Sequence, residues 1–109
     1  MTTFDDFAKL DLRIGTIVEA EPFPEARKPA IKLKIDFGEL GVKQSSAQIT
    51  TRYEPEILVG RQVAAVVNLP PMRIAGYKSE VLVLGGVPKE GDVVLLNIDE
   101  TVENGTPIS

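Results

Sequence analysis

Apolar and polar residues alternate along several short stretches of the chain, as they do in half-buried β-strands. The clearest stretch is IKLKIDF, residues 31–37, in which the apolar side chains face one way and two lysines and an aspartate face the other. Gly15 lies inside an earlier alternating stretch and predicts a bulge or sharp bend of the kind that a barrel corner needs. Alternation also predicts strands over residues 12–20 and 42–50, and apolar runs predict strands over 62–69, 79–85 and 92–97.

Two short helices are expected beside these strands. Thr3 and Asp6 have the spacing of a capping box, which predicts a helix over about residues 4–10. Pro55 favours the first turn of a helix, and a second helix is predicted over about residues 55–59.

The order of these elements indicates the fold. Five or six short strands, with a helix between the third and the fourth, favour an all-β chain folded as a five-stranded OB-fold Greek-key barrel with short N-terminal and inter-strand helices. We expect one domain over residues 1–109, with an N-terminal helix in residues 1–10 and a C-terminal tail over residues 97–109.

Composition removes several kinds of chemistry. The chain has 109 residues and contains neither histidine nor cysteine. Disulfides, thiol nucleophiles, histidine bases and zinc sites built on these residues are therefore excluded, and we expect no metal and no cofactor. No apolar run approaches ~18 residues, so no membrane span is expected. The acidic N-terminus lacks the apolar segment of a signal peptide, and a cytoplasmic location is expected.

Charge is distributed unevenly, although the net charge is only −4. Residues 1–26 hold six acids and two bases (−4), residues 27–78 hold nine bases and four acids (+5), and residues 79–109 hold six acids and one base (−5). A basic middle between acidic ends predicts a positive patch suited to a polyanion. The alternative is a solvated surface of long polar side chains.

The hairpin of residues 31–50 offers a candidate face. Pairing of its strands places Lys32 and Lys34 beside Gln44, Ser46 and Gln48, a plausible surface for phosphates and sugar hydroxyls. The same strand pair is the usual oligonucleotide face of OB barrels. No aromatic residue falls on this face in the sequence, so we expect it to bind RNA more through shape and backbone than through splayed bases. A solvated sheet face is the alternative.

Three of the predicted strands have no polar side. Residues 63–67, 81–84 and 93–96 are apolar on both faces, whereas an antiparallel barrel needs only one buried face. The surplus apolar surface predicts a homodimer. Coverage by the N-terminal helix and the C-terminal tail is the alternative.

Three segments closely resemble the bacterial CsaA family. They are DLRIGTIVEAEPFPEARKPAIKLKIDFG (11–38), KQSSAQIT (43–50) and MRIAGYKSEVLVLGG (72–86). The family consists of stand-alone versions of the tRNA-binding OB domain that is appended to some aminoacyl-tRNA synthetases. The resemblance implies a homodimeric, non-enzymatic barrel that binds tRNA and acts as a cytoplasmic chaperone for proteins destined for export.

The family's turn of basic, glycine and serine residues matches Arg73, Gly76, Lys78 and Ser79. The resemblance implies that Gly76 lets the backbone approach a phosphate, while Lys78 supplies charge and Ser79 a hydroxyl. The synthetase-appended pattern commonly has a small residue and methionine after that serine, where this chain has Glu80-Val81. This departure favours the chaperone role over tRNA binding. Without the resemblance, the same residues form an ordinary reversing turn.

Three functions compete. The first is binding of tRNA or another structured RNA, for which the candidate residues are Lys32, Lys34, Ser46, Gln48, Arg73, Gly76, Lys78 and Ser79. The second is a chaperone that binds peptides or preproteins with little RNA binding, for which the candidate residues are Phe23, Leu69, Met72 and Tyr77. The third is an enzyme using Asp36, Glu39 or Glu80 with Lys34 or Lys78. No pair of these has a spacing that predicts a shared proton or a metal cage, so we expect no catalysis.

Overall fold

The computed structural model describes residues 1–109 and is dominated by short β-strands. The helices are α1 (Phe4–Ala8) and α2 (Pro55–Leu58). The strands are β1 (Leu12–Pro22), β2 (Ile31–Asp36), β3 (Val42–Ala47), β4 (Gln62–Val66), β5 (Met72–Ile74), β6 (Tyr77–Ser79), β7 (Leu82–Val83), β8 (Gly85–Gly86) and β9 (Val94–Leu95).

Five strands form one antiparallel sheet in the order β3-β2-β1-β4-β7. The chain before β7 then returns to the other edge of the sheet, where the Glu80 amide donates to the Gln44 carbonyl at 2.8 Å. The buried Ser45 hydroxyl donates to the Val81 carbonyl at 2.7 Å. These bonds bring the two edges together into a nearly closed barrel, and the predicted all-β OB fold is confirmed.

The barrel interior follows the alternation in the sequence. Ile31, Leu33, Ile35 and Phe37, which the pattern places on one face, are each at most 1% exposed. They pack with Ile17, Ile49, Leu58 and Val63 in one core cluster. The lysines between them lie on the outer face, where the candidate site begins.

The irregularity expected at Gly15 lies elsewhere. The register of β1 shifts between Ile17 and Glu19, so the bulge is at Val18. Gly15 has a different role, because a Cβ there would lie 2.7 Å from the Phe37 ring and 2.8 Å from the Ile35 side chain. The glycine lets β1 approach the core closely.

Several predicted strands are shorter in the structure. The strand expected over residues 42–50 ends at Ala47, and the one over 62–69 ends at Val66. The strand expected over residues 79–85 contains only the short β7 and the first residue of β8, and Ser79 instead ends β6, which pairs with β5 as a separate hairpin over Met72–Ser79. Two consecutive prolines, at positions 70 and 71, lie between the end of β4 and this hairpin, which in turn precedes β7.

The N-terminal helix has the predicted capping box. The Thr3 hydroxyl accepts from the Asp6 amide at 3.3 Å, and the Thr3 amide donates to the Asp6 carboxylate at 3.2 Å. The hydrogen bond from the Thr3 amide is the main reason that the pKa of Asp6 is lowered. No residue of α1 is buried, and Phe4 and Phe7 are exposed. No helix here has the length and apolar character to cross a membrane.

The last residues pair with the edge of β1 that β2 leaves free. The Ile14 amide donates to the Thr106 carbonyl at 3.0 Å, and the Gly105 amide donates to the Ile14 carbonyl at 2.7 Å. The Ile108 amide donates to the Leu12 carbonyl at 2.8 Å. The tail therefore extends the barrel wall.

Candidate nucleic-acid interface

The outer face of β2 and β3 has the predicted pairing. Lys32 lies opposite Ser46, and Lys34 lies opposite Gln44. On the other side of β2, however, β1 places Glu21 opposite Lys32 and Glu19 opposite Lys34. The Lys34 ammonium lies 3.1 Å from the Glu19 carboxylate. This sheet face is therefore nearly balanced in charge, because β1 contributes two acids that the hairpin pattern alone does not reveal.

Lys32 lies between two aromatic rings. Its ammonium is 4.7 Å from the centre of the Phe23 ring and 5.0 Å from the centre of the Tyr77 ring. The two rings meet edge to face at 5.4 Å. The expectation that no aromatic residue lies at this face is wrong, because Phe23 and Tyr77 come from a loop and a hairpin outside the strand pair. Both rings belong to the candidate peptide set, but Phe23 is only 3% exposed and offers no open groove.

Burial raises the pKa of Tyr77, and the nearby carboxylates of Glu21, Glu80 and Glu19 raise it further. The neutral phenol donates a hydrogen bond to the Leu33 carbonyl at 3.2 Å. Tyr77 therefore joins β6 to β2.

Further contacts attach the β5–β6 hairpin to β3. The Gln44 side-chain amide donates to the Lys78 carbonyl at 3.1 Å. The Ser46 amide donates to the Ser79 hydroxyl at 3.3 Å. The Ser79 hydroxyl thus has a structural partner, whereas Ser46 uses its backbone amide in this contact and keeps its hydroxyl free.

The hairpin carries its two cations on the side away from β3. Arg73 lies opposite Lys78 in the register, and cross-strand partners share one face of a ribbon. Tyr77 and Ser79, the neighbours of Lys78, point to the other face and contact the barrel. Arg73 and Lys78 are therefore separated from Lys32, and the basic candidates do not converge into one cluster.

The hairpin turn is tight. Ala75 has φ 48° and Gly76 has φ 82°, the two positive values of a type I′ turn. The Arg73 guanidinium reaches the turn, where Nη1 donates to the Gly76 carbonyl at 3.4 Å. Gly76 meets the steric demand of this turn at no cost, whereas Ala75 is strained there.

A cleft of about 720 Å³ separates the loop of residues 24–30 from the hairpin tip. We call it the loop–hairpin cleft. Its lining includes Ser46 and Gln48 from the predicted set and adds Arg27 and Lys28, which the sequence analysis did not single out. One signal could have identified them, because Arg27-Lys28 is the only pair of adjacent basic residues in the sequence.

The other candidate residues differ in their burial and in their hydrogen bonds. Leu69 and Met72 are exposed, so Phe23 is the one buried member of the peptide set. Of the carboxylates considered for catalysis, Asp36 accepts from the Gly38 amide at 2.8 Å and Glu80 accepts from the Gln44 amide at 3.0 Å. No group of three acids is arranged to hold a metal ion.

A second surface lies on the outside of β1, β4 and β7. Leu12 pairs with Val66, which pairs with Leu82, and Ile14 pairs with Ala64 in the next row. Along each strand these residues alternate with residues that face the core, so the side chains of the paired residues lie together on the outer face of the sheet. Leu82 is 52% exposed, whereas Leu12, Ala64 and Val66 are already buried within the single chain. We call these residues the outer apolar face.

Residues 12–107 match the family model described as a putative tRNA binding domain. The methionine–tRNA ligase of Methanococcoides burtonii is 43% identical over 108 residues, which cover 99% of this chain but only 16% of the ligase. The solved structure of chaperone CsaA from Bacillus anthracis str. Ames is 68% identical, with a TM-score of 0.96 and coverage of 100% of this chain and 99% of that one. CsaA chaperone protein from Picrophilus torridus is 49% identical, with a TM-score of 0.93 and 100% coverage of both chains. The chain therefore belongs to the family of putative tRNA binding domains and, within it, to the CsaA group.

Proposed function

We propose that the protein is a non-catalytic RNA-binding protein whose ligand is tRNA or another structured RNA. The observation that carries this proposal is the set of free cations around the β5–β6 hairpin. The ion pairs of the chain are Lys9–Asp6, Arg13–Asp11 and Lys34–Glu19, so Arg27, Lys28, Arg73 and Lys78 have no acidic partner.

These four cations occupy the end of the barrel that suits nucleic acid. Arg27 and Lys28 lie in the loop between the first two strands of the barrel, and Arg73 and Lys78 lie on the hairpin that follows β4. OB folds bind oligonucleotides with the loops at these positions. The name of the matched family and the ligases that contain such a domain agree with this choice of ligand.

Binding would depend mainly on phosphate contacts. Lys and Arg side chains that neutralise phosphates release counterions, so affinity falls as salt rises. The exposed turn at Gly76 leaves room for a phosphate to approach the backbone, since nothing lies within 4 Å of its missing Cβ. Lys34 contributes less than the sequence suggests, because Glu19 neutralises it.

The test is the affinity for tRNA, measured by filter binding at ~50 and ~200 mM salt. We expect a steep loss between the two, and a further loss in the double variants R27Q/K28Q and R73Q/K78Q. Lys89→Gln is the matched control, because Lys89 is an exposed lysine in the acidic last segment. Absence of binding at the lower salt, or an equal loss in the Lys89 variant, would overturn the proposal.

A chaperone role for export-destined proteins is the second candidate. It is favoured by the name of the similar structures, chaperone CsaA, and by the exposure of Met72 and Leu69 around two prolines. If peptides bind here, Met72→Ser will reduce suppression of client aggregation at any salt concentration, and Val42→Ser, which alters an exposed valine on β3, will not. Equal activity of both variants would reject this surface.

We also propose that the protein is a homodimer and acts in the cytoplasm, where tRNA is found. Leu82 of the outer apolar face and the rings of Phe4 and Phe7 remain exposed in one chain, although the other strand residues of that face are largely covered by its own fold. Two copies related by a two-fold axis would bury both surfaces together. Light scattering at micromolar concentration tests the dimer directly, because it measures the mass of the protein in solution.

A further inference from the structure

We infer that the loop–hairpin cleft binds a single unpaired nucleotide, with the base inside the cleft and its phosphate on Arg27 and Lys28. The inference rests on the proposed RNA binding and adds a ligand class to it. It also departs from the expectation, drawn from the sequence, that RNA is bound more through shape and backbone than through splayed bases.

One wall of the cleft is formed in advance. The Phe23 amide donates to the Ala30 carbonyl at 3.0 Å, which closes the loop at its base. The buried Phe23 ring anchors the loop under the Lys32 ammonium, and prolines at positions 24 and 29 restrict its backbone. A ligand therefore meets a wall that needs little ordering, which reduces the entropy lost on binding.

The opposite wall carries the strained residue of the hairpin turn. Ala75 lines the cleft although its φ of 48° would suit glycine or asparagine better. Strain of this kind often accompanies a functional contact. The Ala75 methyl, with Ile74 and the loop alanines Ala26 and Ala30, gives the cleft an apolar surface against which the face of a base can pack.

Two polar side chains that line the cleft, the half-buried Ser46 and the exposed Gln48, are free to bind the edge of that base. Neither the Ser46 hydroxyl nor the Gln48 amide has a hydrogen-bond partner in the protein, although the Ser46 backbone amide does. A hydroxyl and a carboxamide each donate and accept, and both can satisfy the mixed edge of a nucleobase.

Size and charge favour a nucleotide over a peptide. A volume of about 720 Å³ lies within the range of small-molecule sites. Arg27 and Lys28 are exposed and unpaired, and Glu25 is the one acid in the lining. The rim is therefore positive beside an apolar slot, which matches a phosphate linked to a base.

The first test is a titration followed by the backbone amide signals in NMR. The probes are guanosine 5′-monophosphate, adenosine 5′-monophosphate and ribose 5-phosphate. We expect at least one nucleotide to shift the signals of residues 26–30 and 74–75 and to bind more tightly than ribose 5-phosphate. If ribose 5-phosphate bound as tightly as the nucleotides, the cleft would recognise only the phosphate and not the base, and the inference would be overturned.

The second test uses Ala75→Gly. Glycine relieves the strain of the turn, so this variant should fold at least as well as the wild type. Loss of one buried methyl contact should weaken nucleotide binding about fourfold. The same variant should lower the affinity for an RNA hairpin with an unpaired 3′ extension more than it lowers the affinity for the blunt-ended form of that RNA. Unchanged affinity, or an equal change for both RNAs, would contradict base insertion.

Failure of this inference can be separated from failure of the proposed function. If wild-type protein binds tRNA but no nucleotide shifts the cleft signals, RNA binding stands and the nucleotide site falls. If the protein binds a mononucleotide but not tRNA, the nucleotide site stands and the proposed binding of structured RNA falls. Displacement of the nucleotide by an unfolded apolar peptide would assign the cleft to the peptide and overturn the inference.

Discussion

The Lys32 ammonium lies 5.0 Å from the centre of the Tyr77 ring, and this contact joins the β5–β6 hairpin to β2. Phe23 contacts the same ammonium from the loop side at 4.7 Å. One lysine thus holds together both walls of the loop–hairpin cleft. We propose that Lys32 contributes to RNA binding mainly by positioning these walls, and only secondarily through its charge.

This contact should be measurable as a coupling. Lys32→Met keeps the apolar stem but removes the charge, and we expect it to lower the free energy of unfolding by about 1 kcal/mol. In a double-mutant cycle with Tyr77→Leu, measured by urea denaturation, the two changes should not add. Strictly additive losses would show that the ammonium and the ring do not stabilise each other.

Glu19 should restrain RNA binding by neutralising Lys34. Glu19→Gln removes that charge and frees the lysine, so the affinity for tRNA at low salt should rise. Stability should change by less than about 1 kcal/mol, because both side chains are substantially exposed. Filter binding of the variant checks this, with Glu90→Gln as a control at an exposed acid of the last segment. If the affinity for tRNA rises equally in both variants, only net charge matters and β2 is not part of the interface.

Leu82 should lie in the dimer interface. Leu82→Asp places a charge on the outer apolar face, and we expect the dimer to dissociate because a buried unpaired carboxylate is costly. Val42→Asp alters a valine of similar exposure on β3 and should leave the mass unchanged. Light scattering would count against this interface if both variants stayed dimeric or if the wild type were a monomer.

Gly15 should tolerate no side chain. An alanine Cβ would lie 2.7 Å from the Phe37 ring and 2.8 Å from the Asp36 carbonyl. The core must shift to admit it, and we expect a loss of about 1–3 kcal/mol. Gly41→Ala serves as a comparison in open space, although its φ of 88° adds backbone strain. Near-native stability of the Gly15 variant in urea would show that β1 can move away from the core.

Tyr77 should make the hairpin sensitive to alkaline pH. Its pKa is raised in the folded chain, so the folded state holds the phenolic proton more tightly than the unfolded state does. The stabilisation is complete below the unfolded pKa of about 10 and is lost as pH rises through the folded value. Ultraviolet titration of a Tyr53→Phe variant isolates Tyr77, and a normal pKa of Tyr77 would contradict its burial against the barrel.

Much of the barrel could be predicted from local pattern. The period-two alternation of residues 31–37 identifies the buried face without knowledge of any partner strand, because a β-strand directs successive side chains to opposite sides. The capping box at Thr3 is equally local. The β5–β6 hairpin was missed, because two three-residue strands around Ala75-Gly76 are too short to show a period.

The candidate site was predicted only in part, because it is built from segments distant in sequence. The pairing of Lys32 with Ser46 was predicted from the sequence, because both residues lie in one hairpin. The opposition of Lys34 and Glu19 requires the register of β1, which a bulge at Val18 shifts. Arg27 and Lys28 line a cleft because the hairpin tip packs opposite them, although that tip lies more than forty positions away along the chain.

The sequence by itself determined the barrel strands, their inner faces, the absence of histidine and cysteine chemistry, and the basic middle segment. These properties depend on the residue type at each position and on spacing within a few residues. The tertiary structure alone decided which lysines are neutralised, which ring contacts Lys32, and where a cleft opens between loop and hairpin. Those outcomes depend on which distant segments pack together, since a charge or an aromatic ring acts on whatever lies within a few ångströms of it in the folded chain.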